Sequence, residues 1–355
     1  MIKSLQLENY KCFTNQQIYL NNITVFTGAN ASGKSSIIQA MLLYYAGMSN
    51  TGIINVNQAL GVQIGSPKAL ISQNPEGHEK YDFKISFDDA GMEFYVDKES
   101  GLDLRAILDS KTKKLELSYL NAERIGPRMS YRAGGEERIL SDGSNAAYLI
   151  EKADSKELKI PELLLLNQGV SKKFSYQLEQ WMSIILGDMK ISVRVDNNKA
   201  ETELRIKNEL VQDFILPAQT GFGISYILPI VTAALWTSTQ QNQILIIENP
   251  EAHLHPAAQS KIGKFLALIA ASGVQVIIET HSEHVIDGVR VQMMALKKTE
   301  DVFVHFLSQE NEHIKLQQLT VNNLGELSDW PEHFFDQKQQ DLRDLIKMRL
   351  KNESK

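Results

Sequence analysis

Two short runs of this chain are almost continuously apolar and rich in β-branched residues: Ile244–Glu248 (I-L-I-I-E) and Val274–Thr280 (V-Q-V-I-I-E-T). Between them, the stretch from about Ala257 to Ala271 reads as a helix. Strands apolar on both faces must be covered on both faces, and strand–helix–strand order with short connections builds a parallel sheet with helices on either side. The fold class is therefore α/β. The run Ile23–Thr27 (I-T-V-F-T), the later run V-F-V-H-F-L and a helix from about Glu283 to Leu296 fit the same frame.

Other segments keep a different period. Ile2, Leu5 and Leu7 alternate with polar residues, and Q-Q-I-Y-L comes next, so the chain opens with strands. Residues 50–120 are punctuated by Gly, Asn, Ser and Pro and contain Y-D-F-K-I-S-F and M-E-F-Y-V, which predicts an antiparallel sheet lobe. From Ala146 to Leu186 the pattern turns helical, with E-L-L-L-L-N-Q and F-S-Y-Q-L-E-Q-W-M-S-I-I-L as two helices of a small arm. I-S-V-R-V and E-T-E-L-R-I return to strand alternation. The expected organisation is an N-terminal part of the core with its β lobe (1–145), a helical insertion (146–190), a C-terminal part of the core (191–335) and a charged helical tail (336–355) with a solvated face.

Directly after Thr27 comes G-A-N-A-S-G-K-S-S: Gly28, Ala29, Asn30, Ala31, Ser32, Gly33, Lys34, Ser35 and Ser36. Gly28, Gly33, Lys34 and Ser35 satisfy G-x-x-x-x-G-K-[ST], with a β run before and an apolar helix after, the context that confirms a phosphate-binding loop. The glycines let the backbone wrap so that successive N–H groups and the helix N-terminus face phosphate oxygens. Lys34 is expected at the β- and γ-phosphates of ATP and Ser35 at Mg²⁺, while Ser36 starts the helix with its hydroxyl within reach of the α-phosphate.

Such a loop needs a carboxylate at the end of a neighbouring buried strand. I-L-I-I-E-N-P-E-A-H-L-H-P supplies Glu248 and Glu251, and the next buried strand leads to T-H-S at His281. Here the sequence resembles the ABC-type ATPases of the OLD, RecF and SMC families, over roughly residues 1–45 and 215–307. The resemblance implies an ABC-ATPase-type P-loop core with a mixed sheet flanked by helices, an antiparallel β lobe and a short helical arm. It implies that Glu248 takes the place of the Walker B aspartate, holding Mg²⁺ with Ser35, and that His281 is the switch histidine at the γ-phosphate. The position of the catalytic glutamate is Asn249, whose amide accepts no proton from water. Glu251, two residues on, is the alternative base; otherwise hydrolysis is weak or regulated and occupancy carries the signal. The D-loop aspartate position is His255.

L-P-A-Q-T-G-F-G-I-S-Y-I-L-P-I-V-T-A-A-L places Gly221, Gly223 and Ser225 at the start of an apolar helix, offering N–H groups and a hydroxyl at a positive helix end. It resembles the ABC signature without LSGGQ, implying a head-to-tail homodimer or higher oligomer enclosing two ATPs. Arg124 and Arg128 flank a Gly-Pro turn, where phosphate, DNA, a partner carboxylate and a structural ion pair all remain open. Gln63 and Gln73 are candidates for the Mg²⁺-contacting glutamine. Lys113, Lys114, Lys172 and Lys173 read as solvated surface. His253, His255, His281 and His284 also have zinc-ligand spacing, but T-H-S accounts for His281 without zinc.

The formal charge of −6 and the lack of a long basic run do not demand nucleic acid, and DNA stays open only as the ligand of a local basic face. No stretch approaches the roughly 20 apolar residues of a membrane span, and the N-terminus does not read as a signal peptide, so a cytoplasmic protein without membrane insertion is expected. The single cysteine, Cys12, excludes an intramolecular disulfide and is expected as a packing residue. The segments Y-L-N-A-E-R-I-G-P-R and E-N-P-E-A-H-L-H-P resemble bacterial and phage-defence ATPases of the OLD-like branch, which work with a nuclease or toxin effector. The segment after V-F-V-H-F-L looks too short for a fused Toprim nuclease, so the expected effector is a separate protein. The alternative is a RecF- or SMC-like DNA-binding ATPase; the absence of a long heptad insert counts against the SMC form. A transporter subunit is disfavoured by the missing LSGGQ and by the antiparallel opening that leads into Y-K-C-F.

Overall fold

The structure, a computed structural model, describes residues 1–353 apart from 50–51, 62–63, 74–80, 100, 110–115, 135–136, 168, 197, 209–210, 212, 220 and 311–312. In chain order its strands are β1 (Ser4–Tyr10), β2 (Phe13–Tyr19), β3 (Ile23–Gly28), β4 (Ile53–Ile54), β5 (Asp82–Phe87), β6 (Ala90–Val96), β7 (Leu104–Leu108), β8 (Glu116–Leu120), β9 (Tyr131–Arg132), β10 (Met189–Asp196), β11 (Glu201–Asn208), β12 (Gln243–Glu248), β13 (Gln275–Glu279), β14 (Val302–Glu310) and β15 (His313–Thr320). The α-helices are α1 (Lys34–Ser49), α2 (Val56–Leu60), α3 (Ala146–Ser155), α4 (Phe174–Leu186), α5 (Phe222–Ser238), α6 (Pro256–Ala271), α7 (Glu283–Ala295) and α8 (Gln337–Glu353).

The central sheet has the order β15-β14-β3-β13-β12-β8. All its pairs are parallel except β14 with β15, so the sheet is mixed, as expected. Side chains alternate between its faces. Leu245, Ile247, Val276 and Ile278 enter one hydrophobic core with α3 to α7, and Ile246 and Ile277 enter a second with α1. That double burial is why β12 and β13 carry no polar face. The second core is closed by an antiparallel sheet of order β2-β1-β5-β6-β7-β4, whose Leu5, Leu7, Phe83 and Phe94 pack there. A small sheet, β10-β11-β9, lies against α3 and α4.

The helices α6 and α7 cross at very close range. A Cβ on Gly263 would fall 2.2 Å from the Val285 carbonyl oxygen, and one on Gly288 2.1 Å from that of Ser260. The backbones therefore meet where only glycine fits, and this fixes the loop before α7 against the loop before α6.

Three expectations change. Glu116–Leu120 joins the central sheet parallel to β12 instead of the antiparallel lobe, because its alternating pattern hides a strand partly buried on both sides. E-L-L-L-L-N-Q forms only a single 3₁₀ turn, Glu162–Leu164, after Pro161; the Gln177 side chain then clamps Leu166 by accepting from its N–H and donating to its carbonyl, each at 2.7 Å. In the helical insertion, Phe174, Leu178, Trp181 and Met182 of α4 are buried in the same core as α5 and α6. Cys12 is exposed, not packed. Tyr10 pairs with Phe13 across β1 and β2, so Cys12 sits in the two-residue turn between them, off either strand face. No helix among the described residues is long and apolar enough to cross a membrane.

Candidate nucleotide site

The C-terminal ends of β3, β13 and β12 lie side by side, which is where ligands bind in sheets of this kind. The β3–α1 loop turns sharply at Gly28, whose φ of 142° favours glycine, and a Cβ there would sit 2.0 Å from the Leu307 carbonyl oxygen on β14. Gly33 has φ of 94° and Ala31 φ of 59°, so the loop closes on itself around the Lys34 side chain. The Lys34 ammonium donates to the carbonyls of Gly28 (3.1 Å) and Ala29 (2.6 Å) and to Ser32 Oγ (3.5 Å). Burial lowers its pKa, and nearby Glu279 opposes that shift.

The carboxylate on Ser35 is Glu279, the last residue of β13: the Ser35 hydroxyl donates to Glu279 Oε1 at 3.1 Å. Glu279 is 5% exposed and its Oε2 is buried without a hydrogen-bond partner among the described residues. Burial, followed by the charge of Glu248, pushes its pKa well above the usual carboxylate range. Glu248 ends β12 directly beside it in register. Its Oε1 accepts from the Tyr119 hydroxyl of β8 at 2.9 Å and its Oε2 from the Ala122 N–H at 3.3 Å. Burial raises the Glu248 pKa, and these bonds and Arg124 oppose the rise. Ser35, Glu248 and Glu279 are a hard oxygen donor set with one buried oxygen unpaired, which fits magnesium.

Asn249 and Glu251 are committed to the scaffold. Asn249 has φ of 44°, donates its N–H to the Glu279 carbonyl at 2.8 Å, and keeps its side-chain oxygen buried. Glu251 accepts from the Thr280 hydroxyl and from the His281 N–H, both at 2.7 Å, so each of its oxygens already ties the β12 loop to the T-H-S loop. His281 is exposed as a residue at the mouth of the site, and partial desolvation of its ring, followed by the charge of Lys34, lowers its pKa. Lys34, Ser35, Glu248, Glu251 and His281 thus converge on adjacent strand ends.

The sequence profile described as "AAA domain, putative AbiEii toxin, Type IV TA system" matches residues 23–287, the span that carries all of these groups. The chain belongs to this family. Residues 298–345 match a second family, described as a protein of unknown function (DUF3696). The chain is 23% identical over 348 residues to the OLD nuclease of Thermus scotoductus, covering 88% of this chain and 65% of that protein. A 47-residue stretch is 45% identical to the DNA replication and repair protein RecF of Rickettsia typhi, 13% of either chain. The chain therefore spans less than two thirds of both relatives. Among solved structures, an Smc head domain from Pyrococcus furiosus, with an extended coiled coil and bound to the C-terminal domain of ScpA, superposes with a TM-score of 0.56 at 12% identity, covering 98% of this chain and 99% of that one. An SmcHead bound to the C-winged helix domain of ScpA gives 0.55 at 13% identity, covering 91% and 98%. These likenesses establish an SMC-head type of fold, and with the family match they make this a P-loop ATPase of the OLD, RecF and SMC type.

Within this family member the remaining candidates separate. Gly221 caps the N-terminus of α5, and Phe222 beside it is 53% exposed. Ser225 is 4% exposed and lies inward beside Tyr131, so its hydroxyl does not face out of the helix end. The Phe222 ring stacks on His253 at 5.3 Å, and a Cβ on Gly223 would be 3.5 Å from the His253 carbonyl oxygen; the start of α5 thus rests on the loop after β12. His255 caps α6, its Nδ1 accepting from the Ala257 N–H at 3.4 Å. Among the described residues no three His, Cys, Asp or Glu side chains gather as a metal cluster of the zinc kind.

Arg124 is buried and clasps three backbone carbonyls: Asn121 at 2.9 Å, Glu248 at 2.6 Å and Asn249 at 2.6 Å. Burial pulls its pKa to about 10, with Glu251, Tyr226 and Glu248 opposing, so it stays charged at neutral pH. Arg128 is exposed, Lys173 pairs with Asp154 at 3.2 Å, and Gln73 is exposed; Gln63, Lys113 and Lys114 lie outside the described residues. Sequence reasoning missed Glu279 and Tyr119. The E of E-T-H-S stood in view, but its relation to Ser35 depends on β13 lying between β3 and β12.

Proposed function

We propose that this chain binds ATP with magnesium at the β3–α1 loop, pairs head to tail with a second copy around the nucleotide, and acts as an ATP-gated sensor and scaffold controlling a separate nuclease or toxin effector in bacterial defence against phage. The observation that carries the reading is the convergence of Lys34, Ser35, Glu248, Glu279 and His281 on three adjacent strand ends. ATP, when bound, supplies the γ-phosphoryl group whose transfer to water is the chemistry of P-loop ATPases. Lys34 turns from the Gly28 and Ala29 carbonyls to phosphate oxygens, Ser35 and Glu248 hold the cation, and His281 meets the γ-phosphate. The α5 N-terminus with Gly221 and Gly223 is the surface offered to the nucleotide of the partner copy.

Hydrolysis is weak or regulated in this reading. Asn249 offers an amide at the place of a base, and both oxygens of Glu251 are engaged with Thr280 and His281. Support for the effector role comes from the toxin–antitoxin description of the family and from the OLD nuclease relative.

The test is purification of the tagged protein from its native host, neighbouring genes intact, in ATP and Mg²⁺, beside Lys34→Ala. The expected result is a stoichiometric protein partner that is lost or rearranged in the variant. A protein that neither dimerises nor binds a second protein ends the proposal, and recovery of nucleic acid alone, released by moderate salt, moves the function to a RecF-like DNA clamp.

A further inference from the structure

The carboxylate nearest the loop serine is not the one that the acidic-strand motif designates. Glu279 ends β13, the strand between the loop strand β3 and the acidic strand β12. It pairs in register with Glu248 on one side and with Phe26 on the other, two residues before Gly28. Its place in the sheet thus puts it under the loop, whereas Glu248 lies one strand further out and is held by Tyr119 and Ala122 from the β8 side.

Three observations say what Glu279 is for. The first is distance. Magnesium demands an octahedron with oxygens at about 2.1 Å, so two adjacent ligands lie about 3.0 Å apart. Ser35 Oγ and Glu279 Oε1 are 3.1 Å apart, the separation of two ligands sharing one edge of such an octahedron. The second is the other carboxylate oxygen. Glu279 Oε2 is buried without a hydrogen-bond partner among the described residues, and a buried acceptor without a partner is costly unless something else satisfies it. The third is charge. Glu248 and Glu279 stand at the same level of neighbouring strands, and Lys34 is the cation acting on Glu279. Two carboxylates in a low-dielectric site repel each other, and a divalent cation between or beside them removes the conflict.

We propose that Glu279 is a ligand of the magnesium that accompanies ATP, so that the cation is gripped from two strands and the loop: by Ser35 at the loop, by Glu279 at the end of β13, and by Glu248 at the end of β12. The inference rests on the reading of the β3–α1 loop as a Mg·ATP site and adds a cation ligand to it. It assigns the extra carboxylate to cation holding, and Glu279 does not replace Asn249 as proton acceptor. It also gives the E-T-H-S segment two jobs, with Glu279 on the metal and His281 at the phosphate.

The test uses Mn²⁺ as a spectroscopic substitute for Mg²⁺ and the full chain. ATP affinity is measured first in EDTA, then Mn²⁺ affinity of the ATP complex by electron paramagnetic resonance, for wild type, Glu279→Gln and Lys34→Ala. The expected result is that Glu279→Gln binds metal-free ATP at least as well as wild type, while its Mn²⁺ affinity falls tenfold or more. A Mn²⁺ affinity within twofold of wild type overturns the proposal, also if ATP turnover is lost, because that pattern belongs to a proton acceptor. Failure of wild type to bind ATP with or without metal removes the underlying reading and the inference together, so the two failures differ. Should Glu279→Gln not fold, wild-type protein labelled with ¹³C at glutamate carboxyls decides: electron–nuclear double resonance of the Mn·ATP complex is expected to show couplings from two carboxylates, and a single coupling overturns the assignment.

Discussion

Strands β12 and β13 run parallel and in register to their last residues, Glu248 and Glu279, yet the two ends are built differently. At β12 the carboxylates and main-chain carbonyls are tied down, while the Asn249 side-chain oxygen is buried without a partner among the described residues. The Glu248 carboxylate takes donors from Tyr119 and Ala122, its carbonyl and that of Asn249 take the Arg124 guanidinium, and Glu251 is locked to Thr280 and His281. At β13 the Glu279 carboxylate has a single partner among the described residues, Ser35, and one oxygen with none. The difference follows from topology. β12 has β8 and its following loop as an outer neighbour to supply donors, while β13 is enclosed between β12 and the phosphate loop. A carboxylate with both oxygens satisfied belongs to the scaffold; a buried one with an oxygen left over is where a cation is expected.

Removing the cation of the loop is the largest expected effect. Lys34→Ala should weaken ATP binding at least about 100-fold, the loss of charge-assisted bonds to phosphate, measured by calorimetry. Its fold should survive, since the hydrogen bonds of Lys34 among the described residues go to the loop's own carbonyls and Ser32. Next is the scaffold side. Arg124→Ala strips three carbonyls of their charged donor and should cost roughly 3 kcal/mol of unfolding free energy in denaturant titration. A loss of ATP affinity with unchanged stability would instead place Arg124 on the ligand.

On the far side of β3, His305 of β14 is a buried ionisable group outside the nucleotide site, with its Nδ1 left without a partner among the described residues. It is fully buried, its Nε2 lies 2.7 Å from the Tyr19 carbonyl, and burial lowers its pKa to about 4. A depressed histidine pKa favours the neutral form, so its contribution is present above the unfolded value and lost as pH falls from about 6.5 through about 4. That loss should amount to about 3 kcal/mol, and His305→Gln should flatten the pH dependence of stability in this window.

The smallest effect sharpens the comparison by its sign. In metal-free protein Glu279→Gln should raise the unfolding free energy by about 1 kcal/mol, because repulsion from Glu248 disappears, whereas Glu248→Gln should lower it by about 1 kcal/mol, because the amide presents a donor to Tyr119 or Ala122. Thermal melts in EDTA read both. Equal signs would mean that the two strand ends do not differ as described.

Features carried by local spacing were legible in the sequence. The phosphate loop, α1 and the doubly buried strands β12 and β13 each depend on residues within one segment, and the structure has them as expected. Features that depend on which strand lies beside which were not. Glu279 became a site residue only through the order β3-β13-β12, and Tyr119 only through the parallel pairing of β8 with β12. Arg124, for which phosphate, DNA, a partner and an ion pair were all open, proved to bind backbone carbonyls, partners that no side-chain pattern reveals. Ser225 looked like an outward hydroxyl at a helix start, but it is the fourth residue of α5 and points inward, leaving Phe222 exposed.

The most direct test of an ATP-gated pair is sedimentation velocity of the wild-type protein with ATP and Mg²⁺, read at wavelengths that distinguish protein from nucleotide. The expected result is that ATP with Mg²⁺ converts the chain to a pair that carries one nucleotide per protomer, and that neither the pair nor the bound nucleotide forms with Lys34→Ala. A wild-type monomer sedimenting without nucleotide would contradict it.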